Sequence, residues 1–352
     1  MTNPVPGPGD PPGSREASNE LEQAPGGPPL PAESSGTRSF GLFRFTFDGR
    51  TAPGLFVVGW LAAVIGSLGA FVGLLAGSST AGAVLFVVGL AVLLPGLLLL
   101  GGSQALERRA SGLAYAGPSP VLVFAATIVG LYLVVVAVVT PLHLAGARLE
   151  GPVLSLLGVI LQAVAVIGLI RILVVGPGAL SWSEMGLRGS LPAVVRELAA
   201  GAVLGLPVVV VTAAVVWALV SVVGSIPESP LPPTGTGAGL AINLLAGAVI
   251  APIYEELLFR GFATTAWARV VPARTAIIRT AVLFALAHVL TQGGGSFQEA
   301  AGLAIVGAGS RLPVALALGW LFLRRRSLWA AIGLHAAFNG FLLVIAEASL
   351  RG

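Results

Sequence analysis

Ala251-Pro252-Ile253-Tyr254-Glu255-Glu256-Leu257-Leu258-Phe259-Arg260-Gly261-Phe262 sets two carboxylates and a guanidinium inside an apolar run, and the stretch before it, 239–253, carries no charge. A helix of about 20 apolar residues crosses the hydrocarbon core of a bilayer, so the segment reads as a membrane helix. A charged side chain at the centre of such a helix costs roughly 2.5–3.5 kcal/mol on the insertion scale. Three within six residues are not kept for packing alone. They need partners inside the bilayer, and those partners are candidates for chemistry.

Outward from this stretch the composition is that of a membrane protein. Hydrophobic residues make up 56% of the chain and charged residues 10%, against about 25% charged in soluble domains. Apolar runs of spanning length recur along it. The net charge of +4 is uneven: residues 1–37 sum to −4 and the rest to +8, and every cation is Arg. In such a chain basic residues report topology. No loop interleaves Arg with aromatic residues at length, so nucleic acid is set aside as a partner. Cysteine is absent, which removes disulfides, thiolate ligands and a cysteine nucleophile together. Any metal site must use His, Glu, Asp or Asn.

The pattern predicts an all-α, polytopic membrane helix bundle of about eight to ten segments, preceded by a disordered tail. Residues 1–38, rich in Pro, Gly, Ser and Glu, bury too little surface to fold. The linker over 39–52 either lies on the membrane surface or simply joins tail to bundle. Amino-terminal membrane helices follow over 53–175, and a second membrane unit covers 181–346. Hydropathy places spans near 53–76, 81–101, 120–141, 152–175, 198–224, 239–262, 276–290, 312–323 and 328–346, with 298–309 as a further half-helix or re-entrant piece. Loops with Arg108 and Arg109, Arg188 and Arg196, Arg269 and Arg274, and Arg324–Arg326 alternate with Arg-free ones. This puts the Arg-bearing loops and the tail of this multi-pass cell-membrane protein in the cytoplasm. Arg148 and Arg311 depart from the rule.

Two of the three histidines fall in predicted spans: His288, closing Phe284-Ala-Leu-Ala-His288, and His335, opening His335-Ala-Ala-Phe-Asn339. Glu256 and Arg260 are i and i+4 on one helix face and can pair. Glu255 is turned about 100° away and is left to accept a proton from water. A rival for Glu255 is a structural pairing with Arg279 or Arg269. His335 and Asn339, also i and i+4, can point at one spot, and His288 comes from a third helix. Glu255, His288, His335 and Asn339 in a low-dielectric pocket suit water activation. Glu255 would be the general base, and Asn339 would donate to a developing oxyanion. The imidazoles either bind a divalent ion together with Glu255, zinc by donor type, or hold the water directly without metal. His143, at a span end, reads as interfacial.

Glu255-Glu256-x3-Arg260, Phe284-x3-His288 and His335-x3-Asn339, in that order in membrane helices, resemble the CPBP intramembrane metalloproteases, the CAAX prenyl endopeptidase and bacteriocin-processing group also labelled Abi. The resemblance covers roughly 181–346. It implies an intramembrane endopeptidase acting on membrane-associated protein or peptide substrates within the lipid bilayer. Glu255, His288, His335 and Asn339 are the matching catalytic positions. The alternative is a catalytically silent scaffold or immunity factor of the same fold that binds a partner. A transporter is less consistent, because the polar groups cluster in the last third of the chain rather than in two related halves.

Overall fold

The computed structural model describes residues 49–350 apart from 78, 149, 225, 228 and 291–295. The expected tail, 1–38, and most of the linker, 39–48, lie outside the described residues. Among those described the secondary structure is helical throughout, with no strand.

The helices are α1 Pro53–Leu75, α2 Thr80–Ala110, α3 Pro120–Leu144, α4 Gly151–Val175, α5 Leu191–Ala202, α6 Gly205–Val223, α7 Gly237–Ala268, α8 Ala273–Ala287, α9 Phe297–Arg325 and α10 Leu328–Ala348. Hydroxyl caps mark several starts: Ser79 accepts from Gly82 N–H, Ser119 from Leu122 N–H and Thr236 from Gly239 N–H, each filling an orphan donor of a first turn. With α5 and α6 taken as one span, eight segments are long and apolar enough to cross a membrane. The chain is a multi-pass membrane protein.

Several expected boundaries change: α2 runs to Ala110 rather than 101, and α7 to Ala268 rather than 262. The span expected over 198–224 starts at Leu191 and breaks between Ala202 and Gly205. The pieces at 298–309 and 312–323 are one helix, α9, which runs straight through Pro313. The span expected over 276–290 stops at Ala287. Its 15 residues rise about 22 Å, short of a core of about 30 Å, so α8 ends inside the bundle with His288 at its tip.

Arginines interlock one end of the bundle. Arg109 donates to the Pro177 carbonyl at 2.6 Å, Arg269 to Glu184 at 2.6 Å, and Arg188 to the Arg326 carbonyl at 3.4 Å. Arg325 forks onto Glu197 at 2.6 and 2.8 Å, and Arg50 pairs with Glu107. The carboxyl ends of α2, α4, α7 and α9 and the start of α5 therefore share one face.

Two glycines seat α10, the helix that carries His335. A Cβ on Gly201 would overlap the Ala330 carbonyl, and one on Gly333 the Leu198 carbonyl. The backbones of α5 and α10 meet where only Gly fits, the small-residue contact common between membrane helices.

Candidate active site

The site is built on α7, which is not a plain α-helix. Pro252 has no N–H, and its ring crowds the carbonyl four residues back. The helix relieves this with a π turn over Leu245–Ile250, and a second π segment follows over Leu257–Thr264. Ala251 N–H bonds back to the Ala246 carbonyl, five residues away. On the same register Gly247 would be paired with Pro252, which cannot donate. The Asn339 amide takes that vacant carbonyl, Nδ2 to Gly247 O at 2.7 Å.

Glu255 and Glu256 sit between the two π segments and face different surroundings. Glu256 is sealed, with no exposed side-chain surface. Its Oε1 accepts from Arg260 at 2.8 Å and from His335 Nδ1 at 2.7 Å. Arg260, equally buried, also donates to the Ala315 carbonyl at 3.2 Å and stacks over the Phe284 ring at 4.6 Å. The ion pair expected from spacing is present, and it carries a further role: its carboxylate fixes His335.

Glu255 keeps 15% of its side chain exposed, and His288 keeps 26%. Glu255 Oε2 lies 3.8 Å from Nε2 of His288 and 3.8 Å from Nε2 of His335. His288 Nδ1 lies 2.8 Å from the Phe284 carbonyl, which can only accept, so the proton belongs on Nδ1. The same reasoning applies to His335 Nδ1 against Glu256. Both tautomers are thus assigned from their partners, and both Nε2 atoms present lone pairs. Two lone pairs and a carboxylate oxygen meet with no donor between them, and Glu255 Oε2 is buried without a hydrogen bond. Such a trio calls for something that brings hydrogens or positive charge.

A water satisfies that demand. So does a divalent ion: neutral imidazoles oriented through Nδ1, together with a carboxylate, are the donor set zinc takes. The donor chemistry fits, although among the described residues no three such side chains are already drawn in to coordination spacing.

The rival partners of Glu255 are engaged or turned away. Arg269 is bound to Glu184, and Arg279 is exposed. His143 is exposed in the last turn of α3. Three contributions were not assigned from sequence. Phe284 packs its ring against His288 at 4.5 Å and His335 at 5.8 Å, so the Phe of Phe-x3-His orients its histidine by ring and by carbonyl. Gln162 of α4 accepts from the Tyr254 hydroxyl at 2.9 Å, tying the residue before Glu255 to the amino-terminal helices. Thr264 bonded to Thr280 at 3.0 Å clasps α7 to α8.

Residues 237–341 match the family model described as Rce1-like, type II CAAX prenyl endopeptidase Rce1-like. Over that span, and only there, the chain is similar to the family. The Rce1-like segment runs from the start of α7 into α10 and takes in Glu255, His288, His335 and Asn339, while covering less than a third of the chain. It is narrower at both ends than the resemblance read over 181–346. No curated protein and no solved structure matches the chain. Gln162, Glu184 and Gly201 lie outside the Rce1-like segment, so some of what braces it comes from the rest of the chain.

Proposed function

We propose that the protein is an intramembrane endopeptidase that hydrolyses peptide bonds of membrane-associated protein or peptide substrates. What supports this is the meeting of Glu255 Oε2 with two bare Nε2 atoms, 3.8 Å from each, inside a segment matched to a CAAX prenyl endopeptidase family. By that family's description, the substrate class is a prenylated carboxyl-terminal tail. The Arg-bearing face is cytoplasmic by the positive-inside rule.

A water between the three acceptors donates one hydrogen to Glu255. Glu255 takes that proton as the oxygen attacks the peptide carbonyl carbon. The carbonyl oxygen becomes an oxyanion, and Asn339, with one amide hydrogen on Gly247, offers the other to it. When the tetrahedral adduct collapses, the C–N bond breaks and the proton on Glu255 passes to the leaving nitrogen. Glu256 and Arg260 hold His335 in the tautomer that leaves Nε2 unprotonated. Where a divalent ion is bound, His288, His335 and Glu255 would hold it, and it would supply Lewis acidity and a more acidic water.

The test compares new protein termini in membranes carrying wild type and Glu255→Gln. Loss of a general base lowers turnover about 100- to 10,000-fold while the protein stays folded. A scaffold gives no termini that depend on Glu255 and unchanged partner-dependent function in Glu255→Gln and Asn339→Ala. That pattern would replace the enzyme reading.

A further inference from the structure

Arg311 is a cation in the middle of α9 that the reaction above does not use. It lies four residues from Gly307 and four from Ala315, both on the buried face of α9. Ala315 is the residue whose carbonyl receives Arg260. Arg311 therefore shares the stripe of α9 turned toward α7, one helical turn further from the Arg-rich face. Counting about 1.5 Å per residue from that face, Arg311, Glu255 and His288 all come to rest at roughly 20 Å depth.

Its hydrogen bonds are to its own helix. Nη1 donates to the Gly307 carbonyl and to Ser310 Oγ, each at 2.9 Å. Nε and Nη2, the edge of the guanidinium that grips a carboxylate side-on, make no hydrogen bond among the described residues. Nor does any described carboxylate lie within ion-pair distance. Glu255 is the carboxylate whose charge reaches it, and His288 lies within its field as well, yet no direct contact closes the gap. A half-buried guanidinium at that depth, with its Nε–Nη2 edge unused among the described residues, lacks an anion.

We propose that Arg311 is the anion-binding residue of the cleft and takes a carboxylate carried by the peptide substrate. The proposal rests on the peptidase reading for the identity of its ligand. A lipid headgroup stays at the interface, about 20 Å away by the helix count, whereas a peptide threaded to Glu255 carries its carboxylate with it. A planar carboxylate matches the Nε–Nη2 edge with two parallel hydrogen bonds. Two sources share this chemistry, the terminal carboxylate and an Asp or Glu side chain near the cut.

The test uses the full chain in detergent and three dansylated S-farnesylcysteine tetrapeptides: a free acid, its carboxamide, and the carboxamide with an Asp in the third position. Binding is read by fluorescence anisotropy and cleavage in the same samples. Wild type should bind the acid about 10- to 100-fold more tightly than the plain amide, as expected of a charge-assisted fork. Arg311→Gln should bring the acid down to the amide and leave the amide unchanged. Arg311→Lys, which keeps the charge without the fork, should retain part of the preference. If Arg311→Gln does not yield folded protein, the wild-type ratio and the Lys variant decide. An Asp-amide bound like the acid assigns the site to side-chain carboxylates; one bound like the plain amide assigns it to the terminus.

Equal binding of all three peptides by wild type overturns the proposal, as does a preference that survives in Arg311→Gln. Carboxylate-dependent binding without cleavage keeps Arg311 in this role and sinks the peptidase reading. Cleavage without carboxylate preference does the reverse.

Discussion

Replacing Arg260 with Met separates what the buried ion pair does for stability from what it does for chemistry. Both side chains are fully buried, 2.8 Å apart. Arg260→Met leaves the Glu256 carboxylate without its cation, frees the Ala315 carbonyl and removes the guanidinium from the Phe284 ring. Breaking one side of a buried pair costs about 3–5 kcal/mol, a fifth or more of the roughly 5–15 kcal/mol that keeps a domain folded. At about 2–4 °C per kcal/mol for a chain of this order of size, the heat-denaturation midpoint should fall by roughly 6–20 °C. Size-exclusion chromatography of the detergent-purified protein after stepped heating reads this directly. Glu256→Leu with Arg260→Met removes both charges and should recover most of the loss. It also removes the acceptor on His335 Nδ1, so cleavage should stay lost in the double variant. A single variant within about 1 kcal/mol of wild type, the range of an exposed pair, would refute the reasoning. So would a double variant less stable than the single one.

Asn339→Ala leaves the Gly247 carbonyl unpaired and should cost about 1–3 kcal/mol; adding Pro252→Ala supplies the missing N–H and should restore at least half of it in the same heating assay. Gly333→Val drives a side chain into the Leu198 carbonyl and should abolish monodisperse protein, whereas Gly158→Val on α4, where a Cβ meets nothing within 4 Å, should not. Glu184 is held down to about 2 by the Ser181 backbone N–H first and by Arg269 second. Its folded value lies below the ordinary carboxylate value of about 4.3, so it stabilises above that pH, and the contribution is lost as pH falls from about 4.3 toward 2. The group is half exposed, so the midpoint shift should be small, and Glu184→Gln should remove it. Purified protein should carry about one divalent ion that strong chelators remove together with cleavage; cleavage by metal-free protein would favour water held by Glu255 and the imidazoles alone.

Most of the fold was legible because apolar runs of spanning length leave few alternatives. The errors fall where length and helix period mislead. The 298–309 and 312–323 pieces looked separate because Ser310-Arg311-Leu312-Pro313 interrupts the hydropathy, yet a proline is tolerated within a membrane helix when neighbours take up the freed backbone groups. The break between α5 and α6 leaves no mark in hydropathy; its sequence signal is Pro207, in the first turn of α6. In the site, i and i+4 spacing located the Glu256–Arg260 pair, since both lie on one strongly periodic segment. The His335–Glu256 bond could not be found that way, because a wheel drawn for one helix says nothing of how α10 is turned against α7. Asn339 on Gly247 was equally hidden. Its signal was Pro252, a missing donor whose consequence appears only once the π turn is known. Arg311 was noticed as an exception to the charge rule, and its depth beside Glu255 is tertiary information.

The π turn at Leu245–Ile250 makes the phase of α7 a property of residue count. The helix is pinned above the turn by Asn243, whose amide reaches the Pro232 carbonyl, and below it by Arg260 on Ala315. A chain one residue shorter between these pins would close the turn to ordinary α geometry and leave Glu255 and Glu256 in phase, because a π turn holds one residue more than an α turn. A chain one residue longer has no such slack, and with the turn unchanged it would carry both carboxylates about 100° away from the imidazoles. Every motif residue would survive and hydropathy would be unchanged, yet the site would be gone. The turn therefore makes α7 tolerant of a lost residue and intolerant of a gained one.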